Sequence, residues 1–205
     1  MTYKLIGKVS TKKFSKANHP SIQDMLQQKE TLGYMEYQNT NTKLVIRLDE
    51  EIREVAYYAD VIERMNNLTD EDQVHLILNT IGGDAHGAMA IISAIENTDA
   101  QVIAVVEGCC HSAGSIILMH CHGAAIGKYA HALCHAWSNF DGGKAPDFDS
   151  SYNFNRKFLR DFIEDSYKYF MTEEEIQQML DGKDFWFNAD ELAERIQRRY
   201  EMLQV

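Results

Sequence analysis

VHLILNTIGGDAHGAMAIISAIENTDAQVIAVVEGCCHSAGSIILM, residues 74–119, is the stretch that decides the fold. Val74–Asn79 and Gln101–Val106 are short, nearly continuous apolar runs. Runs of that length and composition suit strands in a sheet covered on both faces. Each run is followed by a glycine-bearing turn, Gly82–Gly83 in the first case and a turn opening at Gly108 in the second. Glycine here reads as the end of the strand. After each turn comes a small-residue, apolar segment with the character of a helix, Ala85–Ile95 and Ser112–Met119. Strand, turn and helix repeated in succession imply βαβ units and a mainly parallel sheet.

The neighbouring sequence extends the same pattern. Leu44–Leu48 reads as a strand. Val55–Asn67 places Val55, Tyr58, Ala59, Ile62 and Met65 at helical spacing. Tyr129–His135 reads as a further strand. Phe140–Tyr152 is rich in Asp, Gly and Ser and reads as a loop, followed by a long helix at Asn153–Phe170. Thr172 and Glu175 form a capping-box signature for a helix at Thr172–Leu180, and Asn188 caps a last helix at Asp190–Tyr200. Residues 1–40 are polar and weakly patterned. They read as irregular, with a short helix near Ile22–Leu32.

The 205 residues suit one domain, with 45% hydrophobic and 25% charged residues. A formal net charge of −11 argues against nucleic-acid binding by phosphate neutralisation and against an anionic membrane surface. No apolar run reaches the length of a membrane span. The first residues, MTYKLIGKVSTKKFSK, lack the apolar core of a secretory signal. Together these features imply a cytoplasmic protein, where a disulfide framework is not expected of Cys109, Cys110, Cys121 and Cys134. Those cysteines share residues 109–135 with five histidines, which raises a zinc site as an alternative. No C-x-x-C pair supports it, and the residues spread over a turn, a helix and a strand.

In a parallel sheet, ligands bind beyond the carboxyl ends of the strands, where both glycine turns lie. Ser112 stands where a buried strand hands over to a helix. Helix N-terminal N–H groups have no intrahelical partner and favour negative charge. A serine there can attack a carbonyl while nearby N–H groups bind the oxyanion. The small residues Ala113 and Gly114 leave room for a peptide, and Gly83 offers a further open N–H. A serine so placed is more often a simple helix cap. A nucleophile also needs a base and an orienting acid. His135 at the end of a strand and Asp184 in GKDFWF, residues 182–187, are the residue types required. Taken singly, each also suits a half-buried histidine or a solvated loop carboxylate. The Gly82–Gly83 spacing matches neither a dinucleotide fingerprint nor a phosphate loop.

Residues 74–199 resemble the proteolytic subunit of Clp protease. HLILNTIGGDAHGAMAI is similar to that family's strand–Gly-Gly–helix segment, with Ile81 where a proline is usual. GCCHSAGSIIL resembles the nucleophile segment, YAHALCHAWSNFDGG the histidine segment, and GKDFWFNADELAERI the aspartate segment before the final helix. The four occur in the family's order. The resemblance implies a ClpP/crotonase-like α/β fold. Such a fold has repeated ββα units, a mainly parallel sheet flanked by helices, and a protruding handle helix at about 140–170. It divides the chain into a divergent N-terminal segment, 1–40, and a peptidase domain, 41–205. It further implies a catalytic triad of Ser112, His135 and Asp184, oxyanion donors at Gly83 and Ala113, and no metal or organic cofactor.

By the same resemblance, subunits stack as rings around a chamber. An AAA+ unfoldase feeds that chamber with peptide or unfolded protein substrate. Phe154, Phe158, Phe162, Tyr169 and Phe170 on the long helix are candidates to pack between rings. Residues 1–40 and Ala136, where the family commonly has proline, depart from the pattern. Three other readings compete: an acyl-CoA enzyme of the crotonase type, an inactive ring-forming subunit, and a membrane-associated serine–lysine peptidase. The last lacks an obvious lysine partner for Ser112.

Overall fold

A computed structural model describes residues 3–6, 32–38, 41–137 and 145–203. Its eight strands are β1 (Tyr3–Ile6), β2 (Tyr34–Gln38), β3 (Thr42–Leu48), β4 (Gln73–Thr80), β5 (Gln101–His111), β6 (Gly123–Gly127), β7 (His131–Cys134) and β8 (Phe185–Phe187). The helices are α1 (Ala59–Asn66), α2 (Ala85–Asn97), α3 (Ala113–His120), α4 (Ala145–Ser166), α5 (Glu173–Leu180) and α6 (Ala189–Leu203). All eight strands join one sheet. β3, β4, β5 and β6 run parallel to one another, and β7 pairs parallel with β5. β1, β2 and β8 pair antiparallel with β6, β3 and β7. The mainly parallel α/β sheet expected from residues 74–119 is therefore present.

Three rows of side chains cross the sheet and build the core. They are Leu44–Val74–Val102, Ile46–Leu76–Ala104 and Leu48–Leu78–Val106. All nine residues are buried. Strand side chains alternate between faces, so this spacing by two puts every one of them on the same side. That side packs against Val61 and Met65 of α1 and Ile91 and Ile92 of α2 within one hydrophobic cluster. The opposite face carries His75, whose imidazole burial holds at about 4, with Lys43 adding to the effect. His75 is therefore neutral at pH 7.

β5 is unusual in serving two partners along one edge. Ile103–Val106 pair with β6, and Cys109–His111 pair with β7. Gly108, expected to end the strand, instead lies inside it. The reason is steric: a Cβ there would stand 2.4 Å from Asn79 Oδ1. That oxygen accepts the Cys109 N–H at 3.2 Å, where the β4–β5 register shifts between Leu78 and Thr80. The asparagine side chain thus replaces a ladder bond that the bulge removes.

Other departures from the sequence reading have local causes. β1 and β2 lie in the segment that reads as irregular, and β6 and β8 carry no strand signal in the sequence. The helix read near Ile22–Leu32 lies outside the described residues except for Leu32, which is buried and not helical. α4 begins at Ala145, inside the stretch read as a loop, and ends at Ser166 rather than Phe170. Val55–Tyr58 form a 3-10 turn ahead of α1. The capping box is present: Thr172 Oγ1 accepts the Glu175 N–H, and the Glu175 carboxylate accepts the Thr172 N–H. Asn188 caps α6 by accepting the N–H groups of Asp190 and Glu191.

Glu175 also joins α5 to α6 through two hydrogen bonds of 2.8 Å from Arg195. The guanidinium, followed by the Thr172 N–H, holds this carboxyl at about 2 against the opposing effect of burial. A folded-state value below the unfolded one, near 4.3, stabilises the fold fully above that unfolded value. The stabilisation is lost as pH falls toward 2. Glu175→Gln is expected to cost roughly 1–3 kcal/mol at pH 7. In urea unfolding, the gap between variant and wild type should narrow at pH 3. A gap independent of pH would contradict the assignment.

Candidate active site

Ser112 sits at the junction of β5 and α3 with φ 52° and ψ −123°. Only one other described non-glycine residue, Tyr169, has positive φ. A side chain in that region is strained by about 1–3 kcal/mol, so the surrounding contacts must impose it. They are visible. Ser112 N donates to Leu133 O of β7 at 2.8 Å, and Ser112 O accepts the N–H groups of Ser115 and Ile116 at 2.9 and 3.2 Å. The Ser112 side chain makes no helix-cap bond, so the ordinary capping role considered above is not what it performs.

Gly82, φ 95°, fits directly against this elbow. A Cβ on it would lie 2.7 Å from Ser112 Cβ and 2.9 Å from His111 O. Its N–H donates to Thr80 Oγ1 at 3.1 Å, and the same hydroxyl donates to Glu50 O at 2.6 Å. Gly83 is bridged to Ile52 through its neighbours: Ile52 N donates to Gly82 O at 2.8 Å and Asp84 N to Ile52 O at 2.7 Å. That pattern leaves the Gly83 N–H unused. Ala113 is the first residue of α3, so its N–H has no intrahelical acceptor. Among the described residues, neither N–H has a hydrogen-bond partner.

The register of β7 and β8 brings the other two candidates to the same corner. Leu133 pairs with Trp186 and Cys134 with Phe185. His135 and Asp184 follow next to the last of these pairs, just beyond the end of the ladder. Ala132 and Cys134 point into the core, whereas His131, Leu133 and His135 are half-buried on the other face. His111, paired with Leu133 across β5–β7, belongs to that face. Its ring lies 5.0 Å from His131 and 5.2 Å from Trp186. Burial, then the imidazoles of His131 and His135, hold His111 below the ordinary histidine range. Among the described residues, no hydrogen bond links Ser112 Oγ, His135 and Asp184. The three residues follow β5, follow β7 and precede β8 respectively, at one end of the sheet, and are not joined in a row.

Among the described residues, no group of three or more His, Cys, Asp or Glu side chains converges as a metal site. Cys110, Cys121 and Cys134 are buried in the core. Burial pushes the Cys121 and Cys134 thiols up to about 12 and raises Cys110 as well. Among the described residues, no helix is long and apolar enough to cross a membrane.

Sequence reading missed His111, Ser115 and Tyr167 as neighbours of the elbow. For His111 a signal existed, since it immediately precedes Ser112. The other two are brought in by packing alone.

The mainly parallel sheet, flanked by helices and bearing this elbow at its carboxyl end, is an α/β architecture of the ClpP/crotonase-like kind. The chain belongs to the Clp protease family, a family of proteolytic hydrolases, whose model matches residues 28–195. No curated protein matches the chain.

Proposed function

We propose that the chain is a cytoplasmic serine endopeptidase subunit that cleaves peptide bonds through an acyl-enzyme at Ser112. One observation carries this reading. The Ser112 hydroxyl is held on a strained elbow without a capping bond, beside two N–H groups, of Gly83 and Ala113, that nothing else occupies. In the proposed reaction His135 accepts the Ser112 proton as Oγ attacks the scissile carbonyl, and Asp184 orients the imidazole. The N–H groups of Gly83 and Ala113 bind the tetrahedral oxyanion. His135 then protonates the leaving amine, and water releases the acyl group. Side chains on this path need no metal or organic cofactor.

Membership of the Clp protease family supports a ring assembly fed by an AAA+ unfoldase, with peptide or unfolded protein as substrate. Phe154 and Phe158, exposed on α4 and stacked at 6.1 Å, suit a contact between subunits. One observation favours a second reading, a ring-forming subunit without hydrolytic activity: the triad side chains are not hydrogen-bonded to one another. Catalytic hydrogen bonds often tighten only with substrate bound, so the first reading is preferred.

Intact-mass measurement after fluorophosphonate treatment separates the two. A single adduct on the wild type, absent from Ser112→Ala, is the expected result. A wild type that stays unmodified while native mass spectrometry shows intact rings would establish the second reading.

A further inference from the structure

Ser115, one turn beyond the elbow, is fully buried, yet its hydroxyl is the most connected side-chain group near the site. It lies 2.7 Å from Ser112 O, 3.1 Å from Leu133 O and 2.6 Å from the Tyr167 phenol oxygen. Cys134 Sγ approaches it at 3.8 Å. Tyr167, just past the end of α4, is buried as well.

The proton positions follow from the inventory of groups. A serine hydroxyl has one proton to donate, and carbonyl oxygens can only accept. If Ser115 donated to Tyr167, two oxygens 2.7 Å apart, Ser115 Oγ and Ser112 O, would face each other without a proton between them. The Ser115 proton therefore goes to Ser112 O, the nearer carbonyl, and Tyr167 donates to Ser115 Oγ. Burial raises the Tyr167 phenol well above its ordinary value, so it remains a donor across the working pH range.

The peptide unit that contains Ser112 C=O also contains Ala113 N–H. Because that unit is planar, fixing the direction of the carbonyl fixes the direction of the N–H. Hydrogen bonds in series polarise one another in a buried, low-dielectric setting. The series here runs from Tyr167 O–H through Ser115 O–H to Ser112 C=O, and emerges at Ala113 N–H. The same single proton has a weaker, shared contact at 3.1 Å with Leu133 O, two residues before His135. The same carbonyl accepts the Ser112 N–H.

We propose that Ser115 and Tyr167 are positioning residues for catalysis: through the buried Tyr167–Ser115–Ser112 carbonyl series they aim and polarise the Ala113 N–H at the oxyanion, and they hold the nucleophile elbow to the strand of His135. The proposal rests on the reading of Ser112 as nucleophile and Ala113 as oxyanion donor. Its effect falls on the transition state, where the oxyanion exists, and not on substrate binding.

The test compares Ser115→Ala, Tyr167→Phe and the double variant with wild type. The readouts are the fluorophosphonate labelling rate of Ser112, the kcat and KM for a fluorogenic peptide, and the thermal midpoint. Ser115→Ala is expected to slow labelling and kcat by about ten- to a hundredfold, with KM within about twofold. Tyr167→Phe, which keeps the Ser115 bond to Ser112 O, should lose about three- to tenfold. The double variant removes both polar partners, so it should regain thermal stability lost by Ser115→Ala but not the lost rate. Recovery of rate together with stability would show a merely structural pair and overturn the proposal, as would wild-type rates in the variants. If the Ser115 variants do not fold, Tyr167→Phe decides by its kcat at unchanged KM. A wild type that does not label at Ser112 would instead overturn the nucleophile reading, and the proposal with it.

Discussion

Ser112→Ala and His135→Ala are each expected to lower peptide hydrolysis by about 10⁴- to 10⁶-fold, with no further loss when the two are combined. Residues that act as one unit show that non-additivity, because removing either member already abolishes the attacking alkoxide. Asp184→Asn should cost about 10⁴-fold, since the imidazole would keep its place but lose its orienting acceptor. Steady-state kinetics on a fluorogenic peptide measure all four proteins. Independent, multiplicative losses would mean that the histidine does not serve the serine. The elbow geometry adds a second expectation, on stability. Ser112→Gly relieves a φ of 52° and should raise stability by about 1 kcal/mol while eliminating activity. A lower melting temperature in this variant would show that the hydroxyl, or the Cβ, supports the fold.

Gly82→Ala is expected to damage both the fold and the site through a single added methyl. The added Cβ would meet Ser112 Cβ at 2.7 Å, His111 O at 2.9 Å and Ala113 N at 3.2 Å. Two of those three atoms are backbone and cannot rotate away, and φ at Gly82 is 95°. A loss of roughly 3–5 kcal/mol follows from the combined clash and strain. Under the proposed function, whatever fraction folds should have lost activity, because relief of these contacts displaces Ser112 and the Ala113 N–H. Gly182→Ala is the control. Its φ is 103°, but nothing lies within 4 Å of the added carbon, so only the backbone cost of about 1–2 kcal/mol applies. Chemical denaturation of both variants measures the difference. Equal losses would mean that the turn around Gly82 yields easily and does not brace the elbow.

The parts of the fold that were legible are those in which one residue pattern has one structural meaning. β3, β4 and β5 are central parallel strands, and burial on both faces writes them as apolar runs. Thr172 and Glu175 spell out a cap because each side chain satisfies the other's backbone. β6 is GAAIG, fully buried but built of residues too small to signal a strand. β1 and β2 pair only on one side, and Tyr34 and Met35 of β2 are exposed, so no hydrophobic alternation marks them. The start of α4 was hidden because Asp, Ser and Pro near a helix N-terminus look like a loop. Gly108 misled for a different reason: its missing side chain makes room for Asn79, a partner 29 residues earlier whose arrival no local pattern announces.

Much the same division holds for the site. Ser112 and Gly83 stand out because a strand–turn–helix junction advertises its own free N–H groups. His135 and Asp184 are marked by the family resemblance, and what brings them near each other is the β7–β8 pairing that ends beside them, which no spacing along the chain contains. Ser115 and Tyr167 meet only after α4 has folded back over α3.

β5 divides its edge between two strands, and this makes the site a structure of two bodies. Ser112 and the glycine turn belong to the long central strands. His135 and Asp184 ride on a small tab, β7 with β8, held to β5 by three paired residues on one side. A tab so lightly stitched can lift without the central sheet unfolding, and amide exchange at Ala132 and Leu133 would outpace that at Leu76 and Ala104. In the proposed reaction the attacking oxygen and the proton acceptor are thus mounted on different parts of the sheet, and any lifting of the tab would change the distance between them.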